Sequence, residues 1–212
     1  MSELLLTTAY LPPVHYFARL CRAERVVIEK HDHYLKQTYR NRCVIAGANG
    51  ALTLSVPVLK PEGLKAFSSD IKISDHGNWQ HLHWNAIVSA YNSSPFFEFY
   101  ADDFSPFYQK RYKFLFDFNE ELRALVCRLF DMETAVSFST EYIVSTASAL
   151  DFREAIHPKK EPKETDPAFV AKEYYQVFRS KFGFLPNLSI IDLLFNMGPE
   201  ARLTLQASLK NK

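Results

Sequence analysis

Apolar and polar positions follow two different periods along this chain, and each change of period marks an element. Leu4 to Ala9 is a short unbroken apolar run, the pattern of a strand covered on both faces. Tyr10-Leu11-Pro12-Pro13 breaks the run. Paired prolines suit a turn that opens a helix, because a helix start needs no N–H there. Val14, Phe17, Ala18 and Cys21 then fall at i, i+3, i+4 and i+7, one helical face. Arg25 to Glu29 reads as the next strand. Strand, helix and strand within about 30 residues form a βαβ unit, which predicts that the two strands are parallel.

Further along, Lys36, Thr38, Arg40 and Arg42 share one parity, and Gln37, Tyr39, Asn41 and Cys43 the other. If extended, the segment has one basic face and one face of amide, phenol and thiol groups. Ala48-Asn49-Gly50-Ala51 carries the Asn-Gly that favours a type I′ hairpin. Leu52, Leu54 and Val56 alternate with polar residues up to Pro57, a half-buried strand. Residues 60–69 read as a loop, and Asp70 to Ser74 as a short strand. Trp84, Ile87, Val88 and Tyr91 share a helical face that ends near Ser93-Ser94-Pro95. Leu122, Leu125, Val126, Leu129 and Phe130 mark an amphipathic helix, with Asp117 or Asn119 as its expected cap. Phe138 to Ile143 is the expected last strand. Residues 157–167 are polar and proline-rich, a flexible linker or loop. An aromatic helix near 168–181, a helix near 189–196 stopped by Gly198-Pro199, and a frayed tail from Ala201 complete the pattern. The expected fold is one α/β domain over 1–212, built on an α/β core at 1–145. Its sheet is mostly parallel, with an antiparallel hairpin, and helices of 168–200 dock back to cover it.

Composition narrows the function classes. The chain has 212 residues, 25 Lys+Arg against 24 Asp+Glu, and a formal charge of +1, so no global basic field points to nucleic acid. At 47% hydrophobic residues it can close a core. Eighteen Phe and eleven Tyr against six Gly imply a heavily packed interior or an aromatic cleft, and argue against a glycine-rich phosphate loop. Cys21, Cys43 and Cys127 are widely spaced, with no CxxC, which argues against a disulfide framework or a structural zinc site. No basic leader and no apolar run of membrane-spanning length occurs. The expectation is a reduced, cytoplasmic protein that does not insert into a membrane.

Several residues carry chemistry. Tyr10 and His15 stand at the turn after the first strand, where parallel sheets bind ligands and a helix N-terminus offers N–H groups. His15 can serve as acid or base; its alternative is a packed loop histidine. Lys36, Arg40 and Arg42 match phosphate or carboxylate, against the alternative of a solvated strand edge. Tyr39 stands between Thr38 and Arg40. Cys43 beside Arg42 is a candidate nucleophile, weighed against the usual buried thiol, and Asn41 a candidate oxyanion donor. His83, read at a helix start, is a candidate neutral base, with Trp84 and Tyr91 on the same helix as substrate contacts. The pairs His31-Asp32-His33 and His81-Leu82-His83 raise a metal site, but no third ligand follows at a metal spacing, so no metal site is assigned.

Four blocks then carry a resemblance: residues 10–17, YLPPVHYF; residues 36–43, KQTYRNRC; His83-Trp84, Ile87, Ala90-Tyr91 and Ser94-Pro95-Phe96-Phe97; and residues 188–200, LSIIDLLFNMGPE. Together they resemble the WbqC-like protein family, particularly its Bacteroidetes branch, from residue 4 to 200. Members of that family occur in O-antigen and other surface-polysaccharide gene clusters. The resemblance implies a transferase that moves an acyl or aminoacyl group to a nucleotide-linked amino sugar. It implies no resident cofactor, and an acyl donor carried on CoA or on an acyl carrier protein. In that scheme Arg40 and Arg42 hold a phosphate, Asn41 orients a carbonyl, and His83 or His15 moves a proton. The alternatives are a non-catalytic module that binds a glycan precursor or carrier protein, and a metal-dependent hydrolase.

Overall fold

The computed structural model describes residues 3–61, 66–144 and 150–210. Strand β1 (Leu4–Thr7), helix α1 (Val14–Arg22) and strand β2 (Arg25–Glu29) form the expected βαβ unit, with Leu4 opposite Val26 and Thr7 opposite Glu29 in parallel register. An antiparallel hairpin follows, β3 (Arg42–Gly47) and β4 (Gly50–Ser55). Helices α2 (Trp79–Tyr91), α3 (Phe97–Phe104) and α4 (Leu115–Leu129) come next, then strands β5 (Ala135–Phe138) and β6 (Leu150–Asp151). The chain ends in short helices α5 (Pro162–Thr165) and α6 (Arg179–Phe182), then α7 (Ile190–Met197) and α8 (Ala201–Ala207).

The sheet order is β5-β2-β1-β6, parallel throughout. The chain builds outward from β1 through β2 to β5, then returns to the far side of β1 with β6. That reversal makes the carboxyl end of β1 and β6 the switch point, where open α/β sheets leave a crevice. β1 is wholly buried, the pattern of a strand covered on both faces, and α1, which joins it to β2, packs on α7 and α8. The hairpin packs separately, with α2 and α7 against β3. No described helix is long and apolar enough to cross a membrane.

Several expectations are corrected. Residues 36–41 are turns, not a strand, and Gln37 has φ of 61°. The Thr38 hydroxyl donates to the Leu35 carbonyl at 2.9 Å, and the turn swings Arg40 inward. Lys36 is exposed and Arg40 buried, so they share no basic face. The hairpin turn is not type I′: of its residues only Gly50 has positive φ, 106°, the arrangement of a glycine bulge after the turn. Residues 70–74 make only isolated bridges, Val58 to Ile73 and Lys72 to Phe114. Helix α4 starts before both expected caps, leaving Asp117 in its first turn and Asn119 buried within it. The fifth strand ends at Phe138 rather than beginning there.

The C-terminal segment departs most. Residues 168–178 are not helical. They pair with the tail instead, through Val170 N–H to Ser208 O at 2.8 Å and Lys210 N–H to Ala168 O at 2.9 Å. The buried Asp192 carboxylate holds them, accepting from Tyr174 (2.6 Å), Gln176 (2.9 Å) and Tyr91 (2.9 Å). The tail expected to fray forms α8, with Ala201 and Leu205 buried. At the end of the expected linker, Asp166 is buried and ion-paired.

Gly198 ends α7 at φ 54° and ψ −130°, and a Cβ there falls 2.5 Å from the Phe96 ring. Gly50 has positive φ, and a Cβ there meets only the Phe182 ring at 4.0 Å, an ordinary contact. Gly50→Ala is expected to cost about 1–2 kcal/mol through backbone strain alone. Gly198→Ala is expected to cost about 1–3 kcal/mol more, because the ring must move. Equal losses in urea unfolding would contradict this packing.

Candidate functional site

Three polar clusters are built into the apolar interior. The first follows from the Tyr10-Leu11-Pro12-Pro13 turn, which sinks Tyr10 wholly into the core. Its hydroxyl lies 3.0 Å from His83 Nδ1 and 2.9 Å from the Tyr108 hydroxyl. The His83 ring also hydrogen-bonds the Ser55 backbone. His83 is the fifth residue of α2, in its second turn, so no helix N-terminus acts on it. Burial among Tyr10, Trp79 and their neighbours pushes its pKa down to about 4, so the ring is neutral at pH 7. The expected protonation state holds, from a different cause. Cys43 lies in the same cluster, and burial pushes its thiol pKa well up. A nucleophilic thiolate needs the opposite shift. Burial also raises Tyr39, to about 12. The Asn41 amide donates to Val56 O at 3.0 Å, and half-buried Trp84 stacks on Tyr108.

The second cluster fixes the C-terminal segment to α1. His15 Nε2 meets Asp166 Oδ2 at 2.7 Å, Arg19 grips the same carboxylate with both arms of its guanidinium, and Phe169 stacks on the His15 ring. These bonds hold the Asp166 carboxyl well below the usual carboxylate range against its burial. His15 is therefore buried and already paired.

The third cluster sits at the carboxyl edge of the sheet. Glu29 ends β2 with no exposure. It accepts from the Ser139 hydroxyl (2.6 Å), the backbone N–H of His31 and Ile143 (both 2.8 Å), and Arg153 (3.1 Å). These donors outweigh burial and hold its pKa below the usual value. Arg153 also forks onto Asp151 at 3.0 and 2.7 Å, just after β6. Beside it, buried Arg40 donates to Asp32 and, at 3.2 Å, to Glu154. Thr7, the last residue of β1, donates to Asp32 at 3.1 Å. The ends of β1, β2 and β6 are thus tied by alternating charges.

Two surface depressions border this edge. A crevice of about 430 Å³ is lined by Asp32, Asp151, Glu154 and Arg153 with Tyr142. A depression of about 640 Å³, basic on balance, includes Lys30, Arg111, Lys113, Phe116 and Phe138, with Asp117, Glu120 and Glu121 also in its lining. Two further depressions have volumes of about 450 and 680 Å³. None of the four is lined by His83, His15, Asn41, Cys43, Lys36, Arg40, Arg42, Tyr10, Tyr39, Trp84 or Tyr91. Tyr10, Cys43 and His83 converge in the core. His15 and Tyr91 face separate carboxylates, and Arg40 alone touches the crevice residues. Of the paired histidines, His81 is exposed and bonds Asn85, while His83 points inward. Among the described residues no group of three His, Cys, Asp or Glu is placed to hold a metal ion. The residues that sequence reasoning missed are Glu29, Asp32, Asp151, Arg153 and Glu154. Glu29 was legible as a carboxylate closing a predicted strand, but nothing in the pattern joins it to Arg153.

Neutral His83 has a measurable consequence. Its native pKa lies below that of an unfolded histidine, so the unfolded state binds the extra proton between about pH 6.5 and 4. The stability due to neutral burial is full above pH 6.5 and is lost as pH falls toward 4. Urea unfolding at pH 7 and 4.5 is expected to show the wild type losing about 2 kcal/mol more than His83→Gln over that interval. Equal losses would show that His83 accepts a proton in the native state.

The comparisons agree with the resemblance at the level of the family, not of its Bacteroidetes branch. A curated relative, "Uncharacterized protein Rv1507c" of Mycobacterium tuberculosis (strain ATCC 25618 / H37Rv), is 25% identical over 215 residues, covering 91% of this chain and 92% of its own. No solved structure gives a significant match. The model of the WbqC-like protein family matches residues 8–204, and the chain belongs to that family.

Proposed function

We propose that this protein acts in surface-polysaccharide biosynthesis, binding a nucleotide-linked amino sugar whose amino group receives an acyl or aminoacyl group. One observation carries this reading. Two depressions of opposite charge open at the carboxyl edge of the same parallel sheet. Lys30, directly after β2, lines the basic one, and Asp32, two residues later, lines the acidic one. A nucleotide-linked amino sugar has the matching asymmetry, an anionic diphosphate and a cationic amine. Within the basic depression Lys110 pairs with Glu121 and Arg123 with Glu120. Lys30 and Lys113 have ring contacts but no carboxylate partner among the described residues, and remain for phosphate. The volumes suit ligands of this size, since small-molecule pockets run roughly 300–1,000 Å³.

The proton carriers expected from sequence, His83 and His15, line neither depression. That favours the second reading, a module that binds and presents the precursor without transforming it. The two readings part on turnover: N-acylated sugar formed by the purified protein with an acyl-CoA or charged carrier protein supports the enzyme, and binding without product supports the module.

Calorimetric titration with a uridine-diphosphate-linked amino sugar tests the common part. The Lys30→Ala/Lys113→Ala double variant is expected to bind at least about tenfold more weakly, with the gap closing at high salt. Equal affinity in the two proteins would overturn the assignment.

A further inference from the structure

The acidic crevice has a more specific chemistry. Four carboxylates, those of Asp32, Asp151, Glu154 and the buried Glu29, gather there around two guanidiniums, Arg40 and Arg153. Each guanidinium is tied to two carboxylates, although the buried Nε of Arg40 has no partner among the described residues. Arg153 spans Asp151 and Glu29 and also donates to Ile143 O at 2.9 Å. Arg40 spans Asp32 and Glu154. The cluster carries two negative charges in excess, so an anion would meet carboxylates with no spare cation among the described lining residues.

A second observation points to a ligand rather than to a merely structural network. Asp32 forms part of the crevice wall and is only 7% exposed. Its Oδ2 is taken by Arg40 and Thr7, but its Oδ1 is buried with no protein partner. A buried carboxylate oxygen without a donor costs about 1–3 kcal/mol or more. A donor arriving through the crevice removes that cost. Glu154, which lines the same crevice and shares Arg40 with Asp32, is about half exposed. The exposed Tyr142 ring, with the Arg153 guanidinium 5.1 Å from its centroid, gives one wall a flat aromatic surface of the kind that packs against a sugar ring.

We infer that this crevice seats the protonated primary amine of an amino sugar, with Asp32 Oδ1 as its acceptor and the Asp151 and Glu154 side of the crevice facing the sugar hydroxyls. The inference rests on the amino-sugar reading above and names the part of the molecule that distinguishes the free amine from its N-acyl form. An N-acyl group has lost the charge and two of the three N–H donors, so it gains little at Asp32.

The test uses free glucosamine, N-acetylglucosamine and glucose, titrated into the full chain at mildly acidic pH and followed by amide chemical shifts. None of these carries a phosphate, so the readout is independent of Lys30 and Lys113. Glucosamine is expected to bind at least about tenfold more tightly than the other two, shifting the Ala155 and Val144 amides. Asp32→Asn should abolish that preference, and the half-exposed Glu154→Gln, which leaves the Asp32–Arg40 pair in place, should weaken it. Asp102→Asn, on the exposed face of α3, should leave it intact. Equal binding of glucosamine and N-acetylglucosamine overturns the inference. So does an unchanged preference in both Asp32→Asn and Glu154→Gln. If the nucleotide-linked sugar still binds through Lys30 and Lys113 in that case, the wider reading stands and the crevice assignment alone fails.

Discussion

The buried Arg40 guanidinium is the interaction on which this architecture turns. It is among the largest fully buried side chains, yet it sits not in the apolar core but between Asp32 after β2 and Glu154 after β6. β2 and β6 lie on opposite sides of β1, so Arg40 joins the two flanks of the sheet across its switch point. A charge so deeply buried needs partners on every side, because an unpaired one costs several kcal/mol. Thr38, Asp32 and Glu154 take its two terminal nitrogens, while its buried Nε has no partner among the described residues. The same demand forces residues 36–41 out of the extended conformation and into turns. Glu29 and Arg153 repeat the device one position along, so the edge is a lattice of alternating charges rather than a hydrophobic rim.

That lattice explains why the depressions lie where they do. Away from that edge, α1, α7 and α8 pack on one another through apolar side chains. At the carboxyl edge the side chains are committed to one another, and what remains toward solvent is the excess: carboxylates on one side, lysines on the other. The core polar clusters have a different task. Tyr10, His83 and Tyr108 satisfy one another, and Asp192 gathers three donors from two segments, Tyr91 on α2 and Tyr174 with Gln176 in the C-terminal segment. Each fixes a unique arrangement of irregular chain that has little regular hydrogen bonding of its own.

Much of the fold was legible in the sequence. The first βαβ unit, the second hairpin strand, α2 and α7 follow from period and from proline and glycine punctuation, which are local signals. What failed was non-local. Residues 168–178 carry aromatic residues suggestive of a helix, but Tyr174 and Gln176 are drawn to Asp192, and Phe169 pairs with Leu209. The candidate site was legible only in part. Chemistry-bearing residues inside motif-like blocks, His83, His15 and Cys43, proved to be buried, His83 against Tyr10 and His15 against Asp166. Arg40 borders the proposed crevice not as a phosphate holder but as the partner of Asp32. Arg153 and Glu154 follow a two-residue strand too short to leave a period, so nothing in the chain announced them.

The central claim is that ligands meet this protein at the carboxyl edge of its sheet and not at the histidine cluster in its core. Chemical-shift mapping with a uridine-diphosphate-linked amino sugar tests it most directly. The account predicts shifts centred on Lys30 to Asp32, Lys113 and Asp151 to Ala155, with the His83 ring nitrogens unmoved. Shifts centred on His83, Tyr10 and Cys43, with the edge residues silent, would contradict it.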